Sequence, residues 1–103
     1  MDVLFRCTGF EWDPGNEDKN RIAHGVTQWE CEQIFFNRPL VVERIARLAL
    51  AEARYFALGQ TDAGRLLFVV YAVREDLIGV ISARDMSRRE RGNYRNAHIE
   101  RDA

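Results

Sequence analysis

The sequence predicts an α+β domain, with two N-terminal helices, an antiparallel sheet meander and a C-terminal helix packed on the sheet. Three observations predict it. Capped helix signals fall in the first third of the chain, apolar β-branched and aromatic runs between turn residues fill the stretch from 55 to 83, and the last of these runs passes directly into an arginine-studded segment. Helices grouped on one side of a run of strands favour α+β over an alternating parallel design.

Asp13-Pro14 sets a capping residue before proline at the first helical position, predicting a helix through His24 that Gly25 stops in a left-handed conformation. Thr27 followed by Glu30 is a capping-box pattern for a second helix through Phe36, with Trp29, Ile34 and Phe35 facing inward and Pro39 just beyond its end. Leu40-Val41-Val42 reads as a strand. Ala46 to Ala53 has helix-forming composition, and the second half of the stretch 40–52 stays open between helix and loop. Tyr55 to Gly59 reads as a strand, Thr61 to Gly64 as a turn and Leu66 to Val73 as a central strand. Glu75-Asp76 turns the chain into a final strand, Leu77 to Ala83, after which Ser87 and Glu90 cap a helix through about Tyr94.

With 103 residues, 47% of them hydrophobic and 30% charged, the chain fits one domain, residues 1–103, with a modest core. No stretch approaches the roughly 18 to 20 consecutive apolar residues of a membrane span, and the first residues lack a signal-peptide pattern, so a cytoplasmic protein without membrane contact is expected. Cys7 and Cys31 lack CxxC spacing and are too few to staple a secreted fold; reduced thiols are the expectation. The scattered Cys7, His24, Cys31 and His98 do not resemble a metal-ligand set, and P-loop, GxGxxG, GxSxG and HExxH patterns are absent, so neither metal nor cofactor is expected.

The net charge of -1 conceals an asymmetry: residues 1–52 carry nine acids and six bases, residues 53–103 seven acids and nine bases. Lys19 is the one lysine among fifteen basic residues. Arginine's planar fork suits bidentate contact with phosphate. Between 84 and 95, Arg84, Arg88, Arg89, Arg91 and Arg95 face only Asp85 and Glu90, which suits RNA or an acidic partner; a solvated helix end with local ion pairs would look the same.

Over residues 10 to 95 the order of motifs resembles the BrnT family, the ribonuclease toxins of BrnT/BrnA type II toxin-antitoxin pairs, themselves similar in fold to RelE-type toxins. The resemblance is carried by Phe10-Glu11-Trp12-Asp13-Pro14-Gly15-Asn16, by Asn20 with His24-Gly25-Val26, and by Glu30 with Phe35-Phe36-Asn37. Glu52-Ala53-Arg54-Tyr55 follows with Ala57-Leu58-Gly59, then Leu67-Phe68-Val69-Val70-Tyr71, Ile81-Ser82-Ala83-Arg84, Arg88-Arg89-Glu90-Arg91 and Tyr94. It implies an RNA-cleaving toxin that blocks translation, is neutralised by a BrnA-like antitoxin protein, and meets operator DNA only through that antitoxin.

A metal-independent ribonuclease needs a base for the 2′-hydroxyl, a cation for the phosphate charge and an acid for the leaving oxygen. His24, Arg54 and Arg84 are the catalytic candidates, with Tyr71, Arg88, Arg89 and Arg91 as RNA or antitoxin contacts. Each has a plainer reading. His24 precedes a helix-stopping glycine, where an imidazolium favours the helix dipole; Arg54 and Arg84 suit structural ion pairs at strand ends; Tyr71 lies in an apolar strand, and Trp12 and Trp29 suit core anchoring. The chain departs from the family pattern at Ala23, where a lysine is common, and at Gly79, where a basic residue is common. Those losses keep open a different class of protein, a non-catalytic toxin-like module that docks an antitoxin or nucleic acid.

Overall fold

The computed structural model describes residues 7–45 and 52–102. The elements run β1 (Gly9–Glu11), α1 (Pro14–His24), α2 (Gln28–Ile34), β2 (Val41–Arg44), β3 (Arg54–Gln60), β4 (Leu66–Arg74), β5 (Leu77–Asp85) and α3 (Arg88–Asp102). One five-stranded sheet has the order β1-β5-β4-β3-β2. Strands β2 to β5 form the expected antiparallel meander, and β1 makes the sheet mixed by pairing parallel to β5 from Gly9–Leu77 to Glu11–Gly79. Three residues, one of them glycine, leave no periodicity from which to read β1.

Both helix starts form as their residues dictate. The Asp13 carboxylate accepts from the Gly15 and Asn16 amides, Pro14 takes the first helical position, and Gly25 closes α1 at φ 63. Thr27 and Glu30 complete the reciprocal capping box of α2. That helix ends at Ile34, two residues short of the expected Phe36, and Trp29 and Phe36 are 69% and 75% exposed. Trp29 is thus no core anchor: a seven-residue helix presents one narrow stripe to the sheet, and Cys31, Ile34 and the adjoining Phe35 fill it. The indole of Trp12 does pack against the core, and its Nε1 donates to Glu32 at 2.8 Å.

The main core lies between α2 and the sheet, where Ala57, Leu67, Val69, Tyr71, Val80 and Ala83 meet Val26, Cys31, Ile34 and Phe35. Gly59 permits this approach, because a Cβ there would stand 2.9 Å from the Ile34 Cβ. Both cysteines are free, as expected, and burial pushes the Cys31 thiol up to about 12. Beyond Gly79 no strand among the described residues lies beside the outer edge of β5, and α1 covers it: the buried Asn20 side chain accepts from the Ala83 amide at 3.1 Å. A side chain thereby satisfies a strand amide that no neighbouring strand reaches.

On the opposite face a second cluster, Leu58, Met86 and Tyr94, seats α3. The Tyr94 hydroxyl donates to the Pro39 carbonyl at 2.6 Å. This helix runs to Asp102, past the expected end near Tyr94, since no glycine or proline follows Gly92 to stop it. The open expectation for residues 46–51 lies outside the described residues.

Candidate functional site

The end of β5 gathers side chains from four segments. Arg65, at the entry to β4, donates from Nε and Nη2 to Asp85 at 2.7 and 3.2 Å, and from Nη1 to the Glu30 carboxylate at 3.1 and 3.2 Å. It also donates to the carbonyls of Gly25 and His24, at 2.9 and 3.2 Å. One guanidinium therefore joins the end of α1, the start of α2 and the end of β5. The hydrogen bond from Arg65 holds the Asp85 carboxyl below its ordinary range, against a smaller opposing effect of burial; the charges of Arg65, His24 and Arg91 add to the lowering. His24, itself exposed, thus stands within electrostatic reach of Asp85.

Arg84, one residue earlier on β5, lies flat over the Phe68 ring at 4.1 Å and donates to both oxygens of Glu90 at 2.8 and 2.9 Å. This bidentate pair directs it to the first turn of α3 and raises its already high pKa, burial opposing. Arg88 and Arg89 are exposed on the same turn, while the half-buried Arg91 donates to the Met86 carbonyl at 3.0 Å.

Arg54 does not join this cluster. Leu58 on β3, Phe68 on β4 and Arg84 on β5 lie in one row, and Arg54 stands four residues from Leu58. By ordinary strand spacing that is roughly 13 Å along the sheet and 10 Å across it. Arg54, Phe56 and Leu58 share the α3 face of the sheet because side chains alternate along a strand. The Arg54 Nε is buried without a hydrogen-bond partner among the described residues. Tyr71, expected as an RNA or antitoxin contact, is 1% exposed and stacks on Tyr55 at 5.5 Å with Phe35 edge-on at 5.2 Å. Its ring belongs to the core and is closed to a surface partner. At Gly79, a Cβ would come within 2.8 Å of Arg74 Nη1, so the Arg74 guanidinium fills the space over that glycine, held by Glu11 and Glu52 at 3.3 and 2.9 Å.

Sequence reasoning missed Arg65 and Asp85. Arg65 follows a turn glycine like many solvent-facing residues, and the partners of its guanidinium lie 20 to 41 residues away in the chain. Glu30 offered one partial signal, since a capping-box acid keeps an oxygen free for a cation. No group of three or more His, Cys, Asp or Glu side chains is arranged for a metal among the described residues.

Between α3 and the β2–β3 part of the sheet runs an open groove of about 640 Å³, lined by Glu43, Ile45 and Phe56 on the sheet side and by Arg89, Asn93 and Asn96 on the helix. One end meets Ser87 and Glu90 beside the β5 cluster. The other reaches Ile45, whose amide bonds the Arg54 carbonyl at 2.8 Å.

The architecture is that of a small α+β protein whose mixed sheet is covered by helices on one face and half-open on the other, with cationic groups gathered at one end. The family model described as "Ribonuclease toxin, BrnT, of type II toxin-antitoxin system" matches residues 12–90, and the chain belongs to that family. The crystal structure of the Brucella abortus ribonuclease toxin BrnT is similar, with a TM-score of 0.56 and 20% sequence identity over 79% of this chain and 99% of that one, a likeness of fold. The comparison with curated proteins yields no match.

Proposed function

We propose that this ribonuclease-toxin family member is a metal-independent endoribonuclease that cleaves RNA, inhibits translation and is neutralised in the cytoplasm by a BrnA-like antitoxin, through which alone it meets operator DNA. Beyond family membership, the observation that carries the reading is the set of cations around Asp85 at the end of β5: Arg65 bonds its carboxylate, His24 and Arg91 act on that carboxylate electrostatically, and Arg84 donates to its backbone carbonyl. Cleavage requires the 2′-hydroxyl to attack the neighbouring phosphorus, forming the O2′–P bond as the P–O5′ bond breaks. His24 moves a proton in that exchange, as base toward the 2′-hydroxyl or as acid toward the departing 5′-oxygen. Arg84 and Arg91 offset the charge that builds on the phosphoryl oxygens, and Arg88 and Arg89 hold the flanking backbone. Arg54, whose backbone carbonyl bonds the amide of the groove residue Ile45, holds a phosphate further along the strand.

Induction of the wild-type chain in cells lacking the antitoxin tests this reading. Growth arrest with RNA decay is expected, and purified protein should cut RNA in EDTA; a well-expressed chain without toxicity would refute it. The Arg84–Glu90 pair favours one second reading, a docking module without catalysis, because a guanidinium already paired with a carboxylate is poorly available to phosphate. Purified protein that binds RNA or antitoxin and leaves RNA intact would establish that reading instead.

A further inference from the structure

We infer that the groove between α3 and the β2–β3 face is a base-reading subsite for single-stranded RNA, an inference that rests on the ribonuclease reading. Its size falls within the range of small-ligand sites, about 300 to 1,000 Å³. Its walls carry a ring, amides and a carboxylate that can read a base, and a cation for the backbone. Phe56 is the aromatic wall: it stacks on Phe68 at 5.4 Å, whose ring in turn lies under Arg84, so the column is braced from the side away from β2. Asn93 and Asn96, one helical turn apart on the exposed side of α3, point amide donors and acceptors from the opposite wall and make no side-chain hydrogen bond among the described residues. Glu43 adds an acceptor for exocyclic amino groups, and Arg89 is a cation without a carboxylate partner among the described residues.

Side-chain amides read base edges through paired donor and acceptor contacts, and aromatic rings hold unstacked bases. Glu90 also lines the groove, but its charge is matched by Arg84, so it does not repel a phosphate as a free carboxylate would. The groove reaches Ser87, two residues past Asp85, so a base held in it belongs to a nucleotide near the scissile phosphate. The subsite is thus the source of cleavage preference, and the phosphate contacts of Arg88, Arg89 and Arg54 are indifferent to sequence.

The test measures binding of four 2′-O-methyl oligoribonucleotides, one for each base, to the full chain; the methyl group removes the attacking hydroxyl, so binding is read whether or not the protein cuts. The wild type should prefer at least one base by roughly tenfold, the discrimination expected of one good base contact. Asn93→Ala with Asn96→Ala, on an exposed helix face where alanine favours helix, should level the four affinities at unchanged thermal stability. Arg89→Ala should weaken all four alike. Equal wild-type affinities for the four bases, or a preference that survives the double replacement, would overturn the subsite. Loss of affinity for the antitoxin with the RNA preference intact would also overturn it, and assign the groove to the antitoxin. Failure of the ribonuclease reading shows separately, as wild-type protein that leaves unmodified RNA uncut.

Discussion

Two single side chains decide how closely the helices meet the sheet. At Gly59 an added methyl has no room against Ile34, so Gly59→Ala should cost about 1–3 kcal/mol, the usual range for overpacking, measurable by urea unfolding. Asn20→Leu keeps the branching and the number of side-chain heavy atoms and removes the acceptor of the Ala83 amide; it should cost about 1–3 kcal/mol, the penalty for a buried donor left unsatisfied. An unchanged urea midpoint in either variant would contradict the corresponding contact. At this scale legibility divides by how local a residue's partners are. Asp13, Gly25, Thr27 and Ser87 were readable because their capping bonds are made within five residues. Trp29 was misread because size suggested burial while its place on a short helix decided otherwise, and Tyr71 entered the contact set although its apolar strand already favoured the core.

Arginine–carboxylate pairs link several of the elements across the core's rim, and this gives the fold an acid limit. The carboxyls of Asp85, Glu90 and Glu30 all lie below their ordinary values: Arg65 lowers Asp85, Arg84 lowers Glu90, and for Glu30 the Thr27 amide and Arg65 outweigh the opposing effect of burial. A carboxyl depressed in the folded state adds stability that is fully present above its unfolded pKa, about 4, and is lost as pH falls through the folded value. Unfolding free energy should therefore fall steeply below about pH 4. Arg65→Met should flatten that slope, because Asp85 and Glu30 would then titrate nearer their unfolded values; an identical acid profile in the variant would remove Arg65 from this role. The meander and all three helices were legible in the sequence because each carries its own periodicity or cap. β1 was not, since a three-residue strand depends entirely on the partner it finds.

For the molecule as a whole, the sheet separates Arg54 from the His24 end, so the sequence-based triad of His24, Arg54 and Arg84 does not gather at one point: Arg54 stands apart, at the other end of β3 from the row that holds Arg84. Replacing both Arg54 and Arg84 by alanine should lower RNA cleavage at least a hundredfold, about 3 kcal/mol at the transition state. The loss of melting temperature should be modest, because the Arg84–Glu90 pair is partly exposed. Equal toxicity in the double variant would exclude both arginines from the reaction. Residue types at strand ends were enough to nominate these positions. Their distance apart was not legible, because it depends on the register of β3, β4 and β5.

The parallel pairing of β1 also has a consequence for the order in which the chain assembles. Strands β3 to β5 follow one another through tight turns, whereas Gly9 meets Leu77 only after 68 residues of chain have been brought together. Closing so long a loop for three residue pairs is entropically costly, so β1 should dock last and open first. Hydrogen exchange should find the amides that β1 contributes to the sheet among the fastest of the strand amides, with those at the middle of β4 the slowest. The segment that completes the sheet is then the one whose release leaves the antiparallel strands paired, and a nascent chain acquires its finished edge only when β5 has emerged.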